Sequence, residues 1–182
     1  MVDQLVQRCR RGEPRAFSEL FSQHKELVYR YIYKMLGSGA PIDELIQDTF
    51  IEIARSIGSF NEKAQLSTWI YRITANVCMR YLRQKHRKST QMLQPNEIEI
   101  EQLTDNGEGS GEAALLKKQT RELINQALGR LDAKKRTVLV LHDMEGVALK
   151  DVAEIVGIPL GTVQTRLFHA RAAMKKYLSK SI

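Results

Sequence analysis

The stretch from Gly157 to Leu178, GIPLGTVQTRLFHARAAMKKYL, constrains the fold most, because its residues want different surroundings on the two sides of one helix. Val163, Leu167, Ala170, Met174 and Leu178 recur at three- and four-residue spacing and, at about 100° per residue, form one apolar stripe that must pack. The far side carries Thr165, Phe168, His169, Ala172 and Lys176, flanked by Gln164, Arg166, Arg171 and Lys175, with no carboxylate from Gly157 onward. Such a face suits phosphates and base edges. Upstream, Leu149, Val152, Ala153 and Val156 predict a shorter helix that Gly157 stops, and Pro159 and Gly161 open the second one. Helix, glycine turn and basic helix make the helix-turn-helix pattern, in which Phe168 suits a thymine methyl or a stacked base.

Charge distribution supports a polyanionic partner. The 182 residues hold 28 Lys+Arg against 21 Asp+Glu, a formal charge of +7. From Gln91 to Leu116 there are six acids, Glu97, Glu99, Glu101, Asp105, Glu108 and Glu112, and no Lys or Arg, so the cationic excess lies wholly in the flanking segments. Pro95 and the run DNGEGSGE form helices poorly, so a flexible acidic linker between two cationic modules is expected. Cys9 and Cys78 have no CxxC spacing and no nearby histidine pair, which indicates a reduced cytosolic protein without a zinc site or disulfide framework. No apolar run approaches 18 residues and no signal-peptide pattern is present, so neither a membrane-embedded nor an exported chain is expected. No nucleophile–base pair, metal-ligand spacing or glycine phosphate loop occurs, so no enzyme, cofactor, metal or small-molecule substrate is expected.

Taken in order, the chain predicts a helical lead-in from Asp3 to Arg11 and a break at Gly12 to Pro14. A long helix follows, whose apolar stripe runs from Phe17 to Leu36 and includes His24 as a core or boundary residue. The next helix, Ile42 to Ile57, buries Ile42, Leu45, Ile46, Phe50, Ile53 and Ile57 and presents Asp43, Glu44, Gln47, Asp48, Ile51, Glu52 and Arg55. Gly58 to Leu66 reads as a loop, with Ser67 or Thr68 capping a helix that buries Trp69, Ile70, Ile73 and Val77. Outside that stripe stand Tyr71, Arg72, Asn76, Arg80 and Arg83, then Lys85, Arg87 and Lys88, with Phe60 and Asn61 in the loop ahead. Aromatics, amides and arginines together suit single-stranded DNA. Two more helices follow, on Leu116 to Leu131 and on Val138 to His142 before the turn at Gly146.

Four segments carry a resemblance in matching order. Asp143 to Leu178, with its GTVxxRLxxAR core, resembles the C-terminal DNA-binding region of the extracytoplasmic-function sigma factors, bacterial promoter-specificity subunits of RNA polymerase. DELIQDTFIEI is similar to that family's clamp-docking helix, which implies that Asp43, Glu44, Gln47, Asp48 and Ile51 face core polymerase. STWIYRITANVCMRYLR resembles the family's STWLYRIAxNxxxDxLR segment, which opens the duplex and reads the minus-10 element. The resemblance implies minus-10 contacts from Phe60, Asn61, Lys63, Ser67, Arg72, Asn76, Arg80 and Arg83, the Phe60 to Ser67 loop capturing one flipped-out base. Arg80 stands near a frequent family acid. LDAKKRTVLVLHDMEG is similar to LPxxxRxVLxLRxxEG, the helices that grip the polymerase flap, with Asp132 in place of proline and Ala148 in place of a Ser or Thr cap.

The expected fold is therefore all-α: a module at 1–92, an acidic linker at 93–114 that threads towards the active-site cleft, and a helix-turn-helix module at 115–182. Thr162, Gln164, Thr165, Arg166, Phe168, His169, Arg171 and Lys175 are the expected minus-35 contacts, with Arg166, Arg171 and Lys175 on phosphate. The resemblance implies an alternative sigma factor of the cytoplasm whose partners are core RNA polymerase, promoter DNA and an anti-sigma factor. The rival readings are a stand-alone helix-turn-helix regulator with an N-terminal helical sensing domain and an anti-sigma-like interaction module.

Overall fold

The computed structural model describes residues 4–91 and 112–179, with side chains for 4–88 and 119–179. The expected linker lies largely outside them, and its last three residues already belong to a helix. In order, the helices are α1 (Gln4–Arg10), α2 (Pro14–Leu36), α3 (Ile42–Ser56), α4 (Leu66–Gln91), α5 (Glu112–Gly129), α6 (Ala133–Leu139), α7 (Leu149–Val156) and α8 (Leu160–Leu178). A 3₁₀ turn at Ile57–Ser59 follows α3, and a π-helical turn at Val140–Met144 extends α6. Among the described residues there is no strand.

Chemistry at the ends sets these boundaries. Pro14 opens α2 where its missing N–H has no intrahelical partner in any case, and Gly37, at φ 74°, ends it with its N–H on the Tyr33 carbonyl. Asp132, the departure from the family's proline, caps α6: its carboxylate accepts the Lys135 backbone N–H at 3.0 Å. Ala148 at the head of α7 makes no such bond. Ser67 and Thr68 are not caps, because α4 starts earlier, at Leu66, and both lie inside its first turn.

Helices α2, α3 and α4 pack on one another with α1 across one end, burying Leu20, Val28, Tyr31, Ile32, Ile46, Ile53 and Ile70. Ile42, Phe50, Trp69 and Ile73, expected inside, are half-buried against this core, and so is His24. In the C-terminal half α6, α7 and α8 enclose Val138, Leu141, Val152, Val163 and Leu167. The two cores are continuous: α5, α6 and the π turn lie on α2, and α7 lies on α4. Cys9 and Cys78 are both buried, and burial pushes the Cys78 thiol up to about 12, so it has no reactive thiolate.

Candidate nucleic-acid interface

The helix-turn-helix is built from α7 and α8. Gly157 adopts the left-handed conformation at φ 67°, giving its N–H to the Ala153 carbonyl, which turns the chain sharply enough for Pro159 to start α8. Val163, Leu167 and Ala170 are buried, so Thr162, Gln164, Thr165, Phe168, His169, Arg171 and Lys175 project outward, with Arg166 half-buried. Phe168 is 69% exposed and meets the His169 ring edge-on at 5.5 Å. Leu160, Gln164 and Phe168, four residues apart, form an outward row with an amide between two apolar groups. Thr165 donates its hydroxyl proton to the Gly161 carbonyl at 2.9 Å, which leaves its oxygen as an acceptor towards a ligand.

Arg171, expected on phosphate, is exposed and forms an ion pair within the chain. Its guanidinium grips Asp143 of the π turn by two bonds, which raise its pKa further, and the carboxylate offsets its charge. The sequence pattern gave no warning, because Asp143 lies 28 residues upstream of Arg171, in the π turn.

The second surface lies on α3, α4 and the loop between them. On α3, Asp43, Glu44, Gln47, Asp48 and Ile51 are all exposed, Ile51 by 47%, opposite buried Leu45, Ile46, Thr49 and Ile53. On α4, Arg72, Asn76, Arg80 and Arg83 form one exposed stripe, in which Arg80 reaches Glu52 at 3.5 Å and Arg83 donates to the Met79 carbonyl. Asn61 and Lys63 are exposed in the loop, tied by a bond from the Lys63 N–H to the Asn61 side chain, while Ser67 is half-buried.

Two aromatic expectations require correction. Phe60 is only 4% exposed, its ring packed against Trp69 at 5.2 Å, so it supports the loop from beneath instead of offering a ring to a base. Tyr71 is 5% exposed, its ring edge-on to that of Tyr31 at 5.8 Å and its hydroxyl bonded to Glu145. Arg10, unremarked in the sequence, donates to the Phe60 carbonyl and pairs with Glu62 at 3.3 Å, where Glu62 holds a left-handed φ of 59°. An α1 cation thus fixes the loop expected to hold a base. Among the described residues, no group of three or more His, Cys, Asp or Glu side chains is placed to bind a metal.

These surfaces coincide with two known families. Residues 20–88 match Sigma-70 region 2 and residues 121–174 match Sigma-70, region 4. The sigma factor SigW of Bacillus subtilis is 31% identical over 183 residues, spanning 98% of this chain and 97% of its own. The chain belongs to the extracytoplasmic-function sigma factors. It is an alternative sigma factor, which binds core RNA polymerase and promoter DNA for promoter-specific initiation. The fold is shared with the sigma factor RpoE of Bartonella quintana, solved with the anti-sigma factor NepR (TM-score 0.73, 21% identity, 90% of this chain and 96% of that one). It is shared also with CnrH, solved with the cytosolic domain of CnrY (TM-score 0.69, 22% identity, 98% and 97% covered). Among the described residues of this sigma factor, no helix is long and apolar enough to cross a membrane.

Proposed function

We propose that the sigma factor divides its work between a module at 1–92, which docks on the polymerase clamp and opens the minus-10 element, and a module at 115–182, which reads the minus-35 element. The observation that carries this reading is the outward row of α8, where Gln164, Thr165, Phe168 and His169 stand clear of the core on a helix opened by a tight turn. Gln164 suits adenine, which presents an acceptor at N7 and a donor at N6, and Phe168 suits a thymine methyl. Lys175 and Arg166 serve phosphate.

On the first module, Asp43, Glu44, Gln47, Asp48 and Ile51 form the clamp-facing surface, an acidic rim about one apolar anchor. Arg72, Arg80 and Arg83 track the single strand, Asn76 contacts an unpaired base, and Asn61, Lys63 and Ser67 shape the loop that receives another. Catalysis stays with the polymerase, and the protein works beside it in the cytoplasm. A further partner is an anti-sigma factor, by likeness to RpoE with NepR. Selection of promoters from a random library by the reconstituted holoenzyme, compared with the Gln164→Arg and Asn76→Ala variants, tests the division. The first should alter only the upstream element and the second only the downstream one.

A further inference from the structure

Glu145 sits just after the π turn of the C-terminal module, yet its side chain is 2% exposed and is held by Tyr71, Arg30 and Lys34 of the N-terminal one. Its Oε2 accepts from the Tyr71 hydroxyl at 2.8 Å and from Arg30 Nη2 at 3.3 Å, and its Oε1 accepts from Lys34 Nζ at 2.6 Å. Tyr71 remains a donor, because burial and then the carboxylate itself raise its pKa. Around this socket the modules meet through more polar groups: Arg136 donates to the Met35 carbonyl at the end of α2, and Asn125 donates to the Tyr33 hydroxyl at 3.3 Å.

The joint is incompletely satisfied. Tyr31 is wholly buried beside Tyr71 and Thr137, and its hydroxyl finds no partner of ordinary geometry, nor does the buried Nε of Arg136. Unsatisfied polar atoms are a poor foundation for a permanent core, and water relieves them when such a joint opens. Dimensions require opening, given the assignment of the modules to two promoter elements, on which this inference rests. Elements centred some 25 base pairs apart lie about 85 Å from one another at about 3.4 Å per pair. A compact chain of this length has a radius of gyration of about 16 Å, so the closed form reaches only one.

We propose that Glu145, seated among Tyr71, Lys34 and Arg30, is a latch that holds the two DNA-reading modules closed in the free protein and releases when both elements are engaged. With the latch shut, α7 rests on α4 and the π turn and α6 rest on α2, so the helix-turn-helix is carried as one body with the clamp-docking module. Release exposes the cationic socket and the carboxylate to water.

Small-angle scattering of the full-length free protein tests this without polymerase or DNA, so its result is separable from any failure of the promoter assignments. The wild type should be compact, whereas Glu145→Lys and Lys34→Glu should each expand the radius of gyration by roughly a third, as expected of two separated modules. The double variant carrying both exchanges should return to the compact value. A wild type already as extended as the single variants, single variants as compact as the wild type, or a double variant no more compact than its parents overturns the latch. Circular dichroism controls for unfolding. If Glu145→Lys loses helical signal, Tyr71→Phe, which removes one donor without changing the packing volume much, must expand the protein for the latch to stand.

Discussion

Arg171 on α8 holds Asp143 in the π turn by a two-pronged contact, Nε to Oδ2 at 2.8 Å and Nη2 to Oδ1 at 2.6 Å. The fork braces α8 against the π turn that extends α6 and offsets the charge of one cation proposed to meet phosphate. Lys175 is exposed on the same helix. In holoenzyme binding to promoter fragments at several salt concentrations, Lys175→Ala should lower the slope of log affinity against log salt by about one, since one counterion-releasing contact is lost. Arg171→Ala should lower it by less, and Asp143→Asn should strengthen binding to unrelated DNA.

Base reading at Gln164 makes a sharper prediction. Arg pairs bidentately with guanine O6 and N7, so Gln164→Arg should shift preference towards guanine at one minus-35 position, with about 1–3 kcal/mol of new discrimination. Selection from randomised minus-35 boxes reads the change directly, and an unaltered preferred sequence means that Gln164 faces no base.

The ends of α6 and α7 predict opposite effects on stability. Asp132→Ala removes the bond to the Lys135 N–H and should cost about 1 kcal/mol, while Ala148→Ser supplies a missing cap and should add a similar amount. Partial burial works against the Asp132 charge, but bonds from Lys135 outweigh it and lower the carboxyl pKa. A carboxyl depressed in the folded state adds stability at pH above its unfolded value of about 3.9 and loses it as pH falls through the lower folded value. The difference in melting temperature between wild type and Asp132→Ala should therefore persist at neutral pH and shrink below about pH 4.

Arg10 ties α1 to the loop ahead of α4. Arg10→Ala should free that loop and slow open-complex formation, as read by permanganate reactivity, with promoter binding much less affected. Asn76→Ala should show the same defect, relieved in part on a template with a pre-opened bubble because the cost of unpairing, a few kcal/mol per base, has been removed.

The faces of α3 and α8 were legible in the sequence because each is set by one helix's own periodicity, which needs no knowledge of its neighbours. The glycine turn at Gly157 was legible for the same local reason. What escaped the sequence depends on long-range packing. Tyr71 is spaced for an outward face on α4 but is interior, packed on Tyr31 and bonded to Glu145, 74 residues away. Phe60 turns inward onto Trp69, and Arg10 and Arg171 each find a carboxylate that no spacing rule links to them. Asp132 looked like a lost proline and is a cap, a local feature that a comparison by pattern concealed.

Assembly on core polymerase tests the account most directly. Purified core enzyme should start transcripts from discrete promoters only when this protein is added, and the combined Glu44→Lys and Asp48→Lys variant should abolish both those transcripts and comigration with core in native gels. Both residues are exposed, so the variant should keep its helical circular dichroism and melting temperature. Contradiction would be a protein that protects promoter DNA equally well without polymerase, or a charge-reversed variant that assembles and transcribes like the wild type.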